Sequence, residues 1–146
     1  MDAWIPSYVD ALRRELRYMA DNWRGDERLV GSIFFGGGTP SLLKPTQIAA
    51  VITDIRRYFT VLPYCEITLE ANPGTLTARS AAGFLEAGIN RVSLGVQTFN
   101  PQQLKVLGRI HTPEQVGEAV RAFRQAGCEN LSLDLIFGLP GQSLQD

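Results

Sequence analysis

Seven residues in four motifs could hold a small charged molecule. Gly36, Gly37, Gly38 and Thr39 form a bare stretch of backbone that closes a short apolar run, Ser32 to Phe35. Three successive glycines remove every side chain, so a ligand can approach the N–H and C=O groups closely. Glu70 and Gln97 end two further strand-like stretches, and Asp134 opens the motif that ends a third. Two carboxylates and an amide would complement a cationic or hydroxyl-rich ligand. The structural alternative is that Glu70 and Asp134 form ion pairs with Arg91 or Arg109, or sit near enough to a rim to be solvated. An unpaired buried carboxylate costs several kcal/mol, so one of these arrangements is required.

Positioning these residues takes alternating strands and helices. Val9, Leu12, Leu16, Met19 and Trp23 recur at helical spacing, so Ser7 to Trp23 reads as a helix, with Ser7 and Asp10 resembling a capping box. Ile33 to Phe35 reads as a strand. Pro45 opens a second helix, carrying Ile48, Val51, Ile52, Ile55 and Phe59 on one face. Cys65 to Glu70 reads as the next strand, and Thr77 caps a helix that ends at Gly88. Arg91 to Gln97 is a third strand. Asn100-Pro101 starts a short helical turn, and Thr112-Pro113 a longer helix ending at Gly127. Leu131 to Phe137 is a fourth strand, and the last five residues, from Gln142, read as a helix beginning. Strand starts spaced roughly 25–40 residues apart suit crossover units and hence a parallel sheet.

In parallel α/β folds the ligand site lies at the carboxyl ends of the strands, so all four motifs should meet on one rim. Alternation within the strands says more. Ile67, Leu69, Val92, Leu94, Val96, Leu131, Leu133 and Leu135 share an apolar face; Thr68, Glu70, Ser93, Gly95, Gln97, Ser132 and Asp134 share a small or polar one. A doubly covered sheet would be apolar on both faces. This pattern suits a barrel whose interior holds a ligand.

Composition narrows the class. A chain of 146 residues with 45% hydrophobic content fits one domain, and a formal net charge of −1 gives no footprint for nucleic acid or an anionic membrane. No apolar run suits a membrane span and no secretion signal is visible. Cys65 and Cys128 lie far apart, which suggests a reducing compartment, so the expected location is the cytoplasm. The glycine motif lacks the Lys of a phosphate loop, and Ser41 stands where a dinucleotide fingerprint has its third glycine. A Rossmann-like nucleotide-binding module remains the weaker alternative. His111, the single histidine, reads as structural rather than as a haem ligand or general base. Trp4, Tyr8 and Trp23 read as packing residues rather than a porphyrin platform.

Together the motifs resemble a known family. They are Gly-Gly-Gly-Thr-Pro-Ser at 36–41, Glu-Ala-Asn-Pro-Gly-Thr at 70–75, Arg-Val-Ser-Leu-Gly-Val-Gln-Thr-Phe-Asn at 91–100, Leu-Gly-Arg-Ile-His at 107–111 and Asp-Leu-Ile-Phe-Gly-Leu-Pro-Gly-Gln at 134–142. In this order they resemble the radical S-adenosylmethionine (SAM) proteins of the oxygen-independent coproporphyrinogen III oxidase-like family. The Asn-Pro-Gly-Thr and Gly-Arg-Ile-His versions resemble its haem-chaperone branch, HemW, and the anaerobic coproporphyrinogen III dehydrogenase, HemN, is the related alternative. The resemblance runs from about Tyr8 to the last residue.

It implies an α/β fold, a partial parallel (β/α) barrel of the radical SAM type with about four βα units, open at both ends. Residues 1–146 would be the central part of that barrel, with no second domain. Gly36 to Thr39 would lie along the amino-acid end of SAM, the Gly37, Gly38 and Thr39 backbone and hydroxyl holding its ammonium and carboxylate. Glu70, Gln97, Arg109 and Asp134 match family positions that contact SAM, Arg109 being able to meet a carboxylate through two parallel hydrogen bonds. The implied partners are SAM, a [4Fe–4S] cluster and haem or a porphyrin. The family holds its cluster on three closely spaced cysteines, which this chain lacks. Cys65 and Cys128 should lie at the opposite rim as small apolar residues. The expectation is a piece of a longer protein, without its cluster loop and C-terminal portion, inactive alone and prone to self-association through open sheet edges.

Overall fold

A computed structural model describes residues 2–25 and 27–143 of the chain. Helix α1 (Ile5–Asn22) leads into strand β1 (Leu29–Phe35), followed by α2 (Pro45–Tyr58), β2 (Thr60–Ala71), α3 (Ala78–Glu86), β3 (Arg91–Gln97), α4 (Pro101–Val106), α5 (Pro113–Gln125) and β4 (Asn130–Leu135). Short 3₁₀ turns at Asp2–Trp4, Pro40–Leu42 and Pro73–Thr75 complete the order. The strands form one parallel sheet in the order β1-β2-β3-β4, so β1 and β4 are its edges. Each crossover returns the chain to the next position on the same side, with no reversal of strand order. That progression is the winding of a barrel wall, and the chain folds as an open segment of a parallel (β/α) barrel.

The helices cover one face of the sheet. Ile67, Leu69, Val92, Leu94 and Val96 are buried there against Ile48, Ile52, Phe84 and Phe123. Leu133 and Leu135 share this face in sequence but remain exposed at 40% and 60%, because β4 is the edge strand. Several elements begin where local chemistry dictates. Thr77 and Thr112 each accept a hydrogen bond from the third residue of their helix, from Ser80 N–H and Gln115 N–H respectively, and Asn100 accepts from Gln102 and Gln103.

The start of α1 departs from expectation. The helix begins at Ile5 with Trp4 as cap residue and no side-chain cap, so the Ser7–Asp10 capping box does not form. Pro6 at the second helical position has no N–H to satisfy and lets the helix start earlier. Strands β1 and β2 begin earlier than their apolar cores indicate. Thr60 and Val61 pair with Leu29 and Val30, then an irregularity between Val30 and Ser32 resets the register. The helix expected to begin at Gln142 lies, from Leu144 onward, outside the described residues.

Candidate functional site

The carboxyl ends of the strands open onto a cleft of about 150 Å³, lined by Gly38, Thr39, Glu70, Asn72, Ser93, Gly95, Gln97, Arg109 and Asp134, with Pro40 and Ala71. Six of the eight residues singled out in the sequence therefore face one space. Gly36 and Gly37 lie on the other side of the glycine loop. There, with Gly38 and Thr39, they wall a larger apolar groove of about 880 Å³ that also includes Ile5, Tyr8, Leu12, Phe35 and Ile110. The glycine loop is thus a thin partition of main chain between a polar cleft and an apolar groove.

The partition needs glycine for two different reasons. Gly37 and Gly38 have φ of +77° and +57°, and open space surrounds the position of an added Cβ, so conformation rather than crowding excludes side chains. At Gly36 a Cβ would collide with the Phe34 ring and come within 3.3 Å of the Glu70 carboxyl carbon. Glu70 itself is half-buried and accepts a hydrogen bond of 3.1 Å from the Gly37 N–H. The loop is anchored beyond the glycines. Ser41, 5% exposed, accepts from the Asn72 N–H at 3.1 Å and lies 2.7 Å from the Thr75 hydroxyl, which reaches the Asn72 carbonyl at 2.9 Å. The Ser41 of the glycine motif and the Asn72 and Thr75 of the next motif are therefore one structural unit.

Asp134 is held differently. The Ser93 hydroxyl lies 2.7 Å from both of its carboxylate oxygens, and the Ser132 hydroxyl lies 3.1 Å from that of Ser93. Ser93 has one proton to donate, and an ionised Asp134 can only accept, so Ser132 donates to Ser93. Arg91 reaches the hydroxyls of Ser132 and Thr68, each at 3.4 Å, and pairs with Glu66 at 3.8 Å. Among the described residues no ion pair joins Glu70 or Asp134 to Arg91 or Arg109. The two carboxylates are instead hydrogen-bonded and line an open cleft, so their charge is available to a ligand at little desolvation cost. The sequence placed Ser93 on the interior face, but its grip on Asp134 depends on the Ser93–Ser132 register of β3 and β4.

Gln97 is the one non-glycine residue with positive φ, +67°, among the described residues. Its neighbours close a tight turn in which the Thr98 N–H donates to the Val96 carbonyl at 2.8 Å. This is the strained γ-turn of positive φ, set where the β3–β4 register shifts between Gly95 and Gln97. The side chain folds over Gly95, where an added Cβ would stand 2.9 Å from the Gln97 amide nitrogen. Arg109 enters the cleft from a loop set by Gly108 at φ +63°. The N–H groups of Gly108 and Arg109 bond back to Lys105 and Leu104, which closes α4 with a Schellman motif.

The cysteines lie elsewhere. Cys65 and Cys128 are each 4% exposed, and burial pushes both thiols up. Cys128 precedes β4, whereas Cys65 lies in the middle of β2 rather than at its start, because that strand begins at Thr60. Of the aromatics near α1, Trp23 packs edge-on against Phe59 at 6.2 Å. Trp4 and Tyr8 do not take the packing role expected of them, being 79% and 60% exposed.

Known proteins are similar to this chain in sequence and in fold. The heme chaperone HemW of Haemophilus influenzae is 43% identical over 143 residues, 98% of this chain and 37% of that protein. The oxygen-independent coproporphyrinogen III oxidase of Bradyrhizobium diazoefficiens is 39% identical over 143 residues, 98% of this chain and 32% of that protein. Among solved structures, the coproporphyrinogen III oxidase HemN from Escherichia coli, described as a radical SAM enzyme, superposes with a TM-score of 0.83. It is 31% identical, over 94% of this chain and 31% of that one. The chain spans about a third of the length of these relatives. The model of the Radical SAM superfamily matches residues 6–146, and with the parallel sheet, its barrel-like winding and the polar cleft at its carboxyl rim, the chain belongs to the radical SAM superfamily.

Proposed function

We propose that this chain supplies the SAM-binding rim of a HemW-like heme chaperone, as the central part of its barrel. The observation that carries the reading is the cleft in which Glu70, Gln97, Asp134 and Arg109 converge on the glycine loop. SAM presents an ammonium, a sulfonium, a carboxylate and two ribose hydroxyls. The glycine-loop main chain and the Thr39 hydroxyl suit the amino-acid end, the carboxylates and Gln97 suit cationic groups and ribose hydroxyls, and Arg109 suits the SAM carboxylate. When bound, SAM supplies the sulfonium that radical chemistry cleaves; these residues bind and orient it.

The iron–sulfur cluster of the superfamily does not fit the residues of this stretch. Clusters are held by several thiolates, whereas the two thiols here are buried, favour their neutral form and do not line the cleft. Likeness to the heme chaperone HemW supports haem as a further ligand, and the two buried, unpaired cysteines favour a cytoplasmic setting. Calorimetry on a full-length protein carrying this stretch tests the SAM site. Glu70→Ala and Asp134→Asn should each weaken SAM binding by roughly tenfold or more, as expected for a lost charged hydrogen bond. Wild-type affinity in both variants would overturn the assignment.

A second reading, oxidative decarboxylation of coproporphyrinogen, draws on the TM-score of 0.83 to the E. coli oxidase. The two separate by assay. Stoichiometric haem binding without coproporphyrinogen turnover under anaerobic reducing conditions supports the chaperone, and turnover supports the oxidase.

A further inference from the structure

We propose that His111 is a positioning residue for this site: its imidazole pins the strained Gln97 turn and ties it to the loop that carries Arg109. The inference rests on the SAM reading only for its effect on ligand binding; its structural part stands alone.

His111 is 3% exposed and its Nε2 lies 3.1 Å from the carbonyl oxygen of Val96. A carbonyl can only accept, so the ring carries its proton on Nε2. The same carbonyl closes the Gln97 turn by accepting from the Thr98 N–H, while the Gln97 carbonyl accepts from the Ile136 N–H at 2.8 Å. The Gln97 residue is thus held on both sides, and His111 adds a side-chain hold at the Val96 carbonyl. Positive φ in a residue with a Cβ is strained and persists only where neighbours over-determine it. Gly74 completes the setting: a Cβ there would stand 3.2 Å from the His111 Cβ and 3.5 Å from its Cα, so the turn after β2 closes directly on this residue. Three rim segments, carrying Asn72, Gln97 and Arg109, meet at this one residue.

The cost is visible on the other ring nitrogen. His111 Nδ1 is buried with no hydrogen-bond partner among the described residues. A histidine that served only to fill space would not hold this arrangement against an apolar residue of similar size, because a buried unpaired acceptor is unfavourable. The Nε2–H bond to Val96 is the gain that offsets it.

Nitrogen-15 NMR of the 146-residue chain reads the tautomer directly. The proton is expected on Nε2 at neutral pH; an Nδ1–H tautomer overturns the proposal. His111→Leu keeps the volume and removes the donor, and should shift the Gln97 and Thr98 amide resonances. His111→Gln offers an amide donor to Val96 and should restore them. Equal perturbation in both variants overturns the proposal. In the full-length protein, His111→Leu should weaken SAM binding roughly tenfold and His111→Gln should recover most of it. Unchanged SAM affinity in His111→Leu overturns the positioning role. If wild-type protein fails to bind SAM, the SAM reading falls, while tautomer and amide shifts still decide the role of His111. If His111→Leu does not fold, the wild-type tautomer and the His111→Gln comparison decide it.

Discussion

The acidic residues of the cleft show how one charge type is held in two ways. Glu70 accepts from the main chain of the loop it faces, and Asp134 from a serine on the neighbouring strand. Among the described residues neither forms an ion pair with an arginine, so both can meet a cation. The glycine partition can be tested at the same scale. Gly37→Ala places a Cβ at φ +77° with no steric contact, so the cost is conformational and about 1 kcal/mol. Urea denaturation should show a lower midpoint with an unchanged slope. His111 gives a pH dependence. Burial, aided by the positive charge of Arg109 and partly opposed by the bond to Val96, holds its pKa below the ordinary value. The unfolded chain takes up a proton near pH 6.5 while the folded chain resists it. Stability should therefore be unaffected above that pH and fall as pH drops below it, down to the lowered folded pKa. His111→Gln should remove this part of the acid slope; equal slopes in the two proteins would contradict it.

Element boundaries follow local chemistry closely wherever a cap is present. Thr77, Asn100 and Thr112 start α3, α4 and α5, and the Gly88, Gly108 and Gly127 N–H groups bond back to Leu85, Lys105 and Arg124 as those helices close. These boundaries were legible because capping acts over three or four residues. The start of α1 was not, since the Ser7 hydroxyl competes with a proline that tolerates an earlier start. Thr112→Ala removes the bond to the Gln115 N–H and should destabilise the chain by about 1 kcal/mol. Thr77→Ala should act similarly, and the two losses should add, because they cap separate helices. Phe84→Ala in the core should cost more, about 3–5 kcal/mol, since Phe84 is fully buried between sheet and helices. Thermal denaturation ranks the three.

The whole molecule is a wall with two open edges. Strand β1 offers one unpaired edge and β4 the other, and Leu133, Leu135 and Phe137 are 40%, 60% and 93% exposed. Unpaired edges and exposed apolar side chains both favour association. The chain alone should show concentration-dependent mass in light scattering, reduced by Leu135→Lys. A dilution-stable monomer would contradict this. Among the described residues no helix is long and apolar enough to cross a membrane.

The sequence by itself determined the order of elements, the apolar and polar faces of the sheet, and the four motifs at the strand ends. These depend on period, capping and composition, which act over a few residues. Only the tertiary structure decided that the carboxylates are hydrogen-bonded rather than ion-paired. The Gly37–Glu70 contact joins residues 33 apart, and the Ser93–Asp134 contact joins residues 41 apart. It also decided the strain at Gln97 and the hold of His111 on Val96. Such contacts depend on strand register and on the packing of separate loops around one residue, and no local pattern in the chain encodes either.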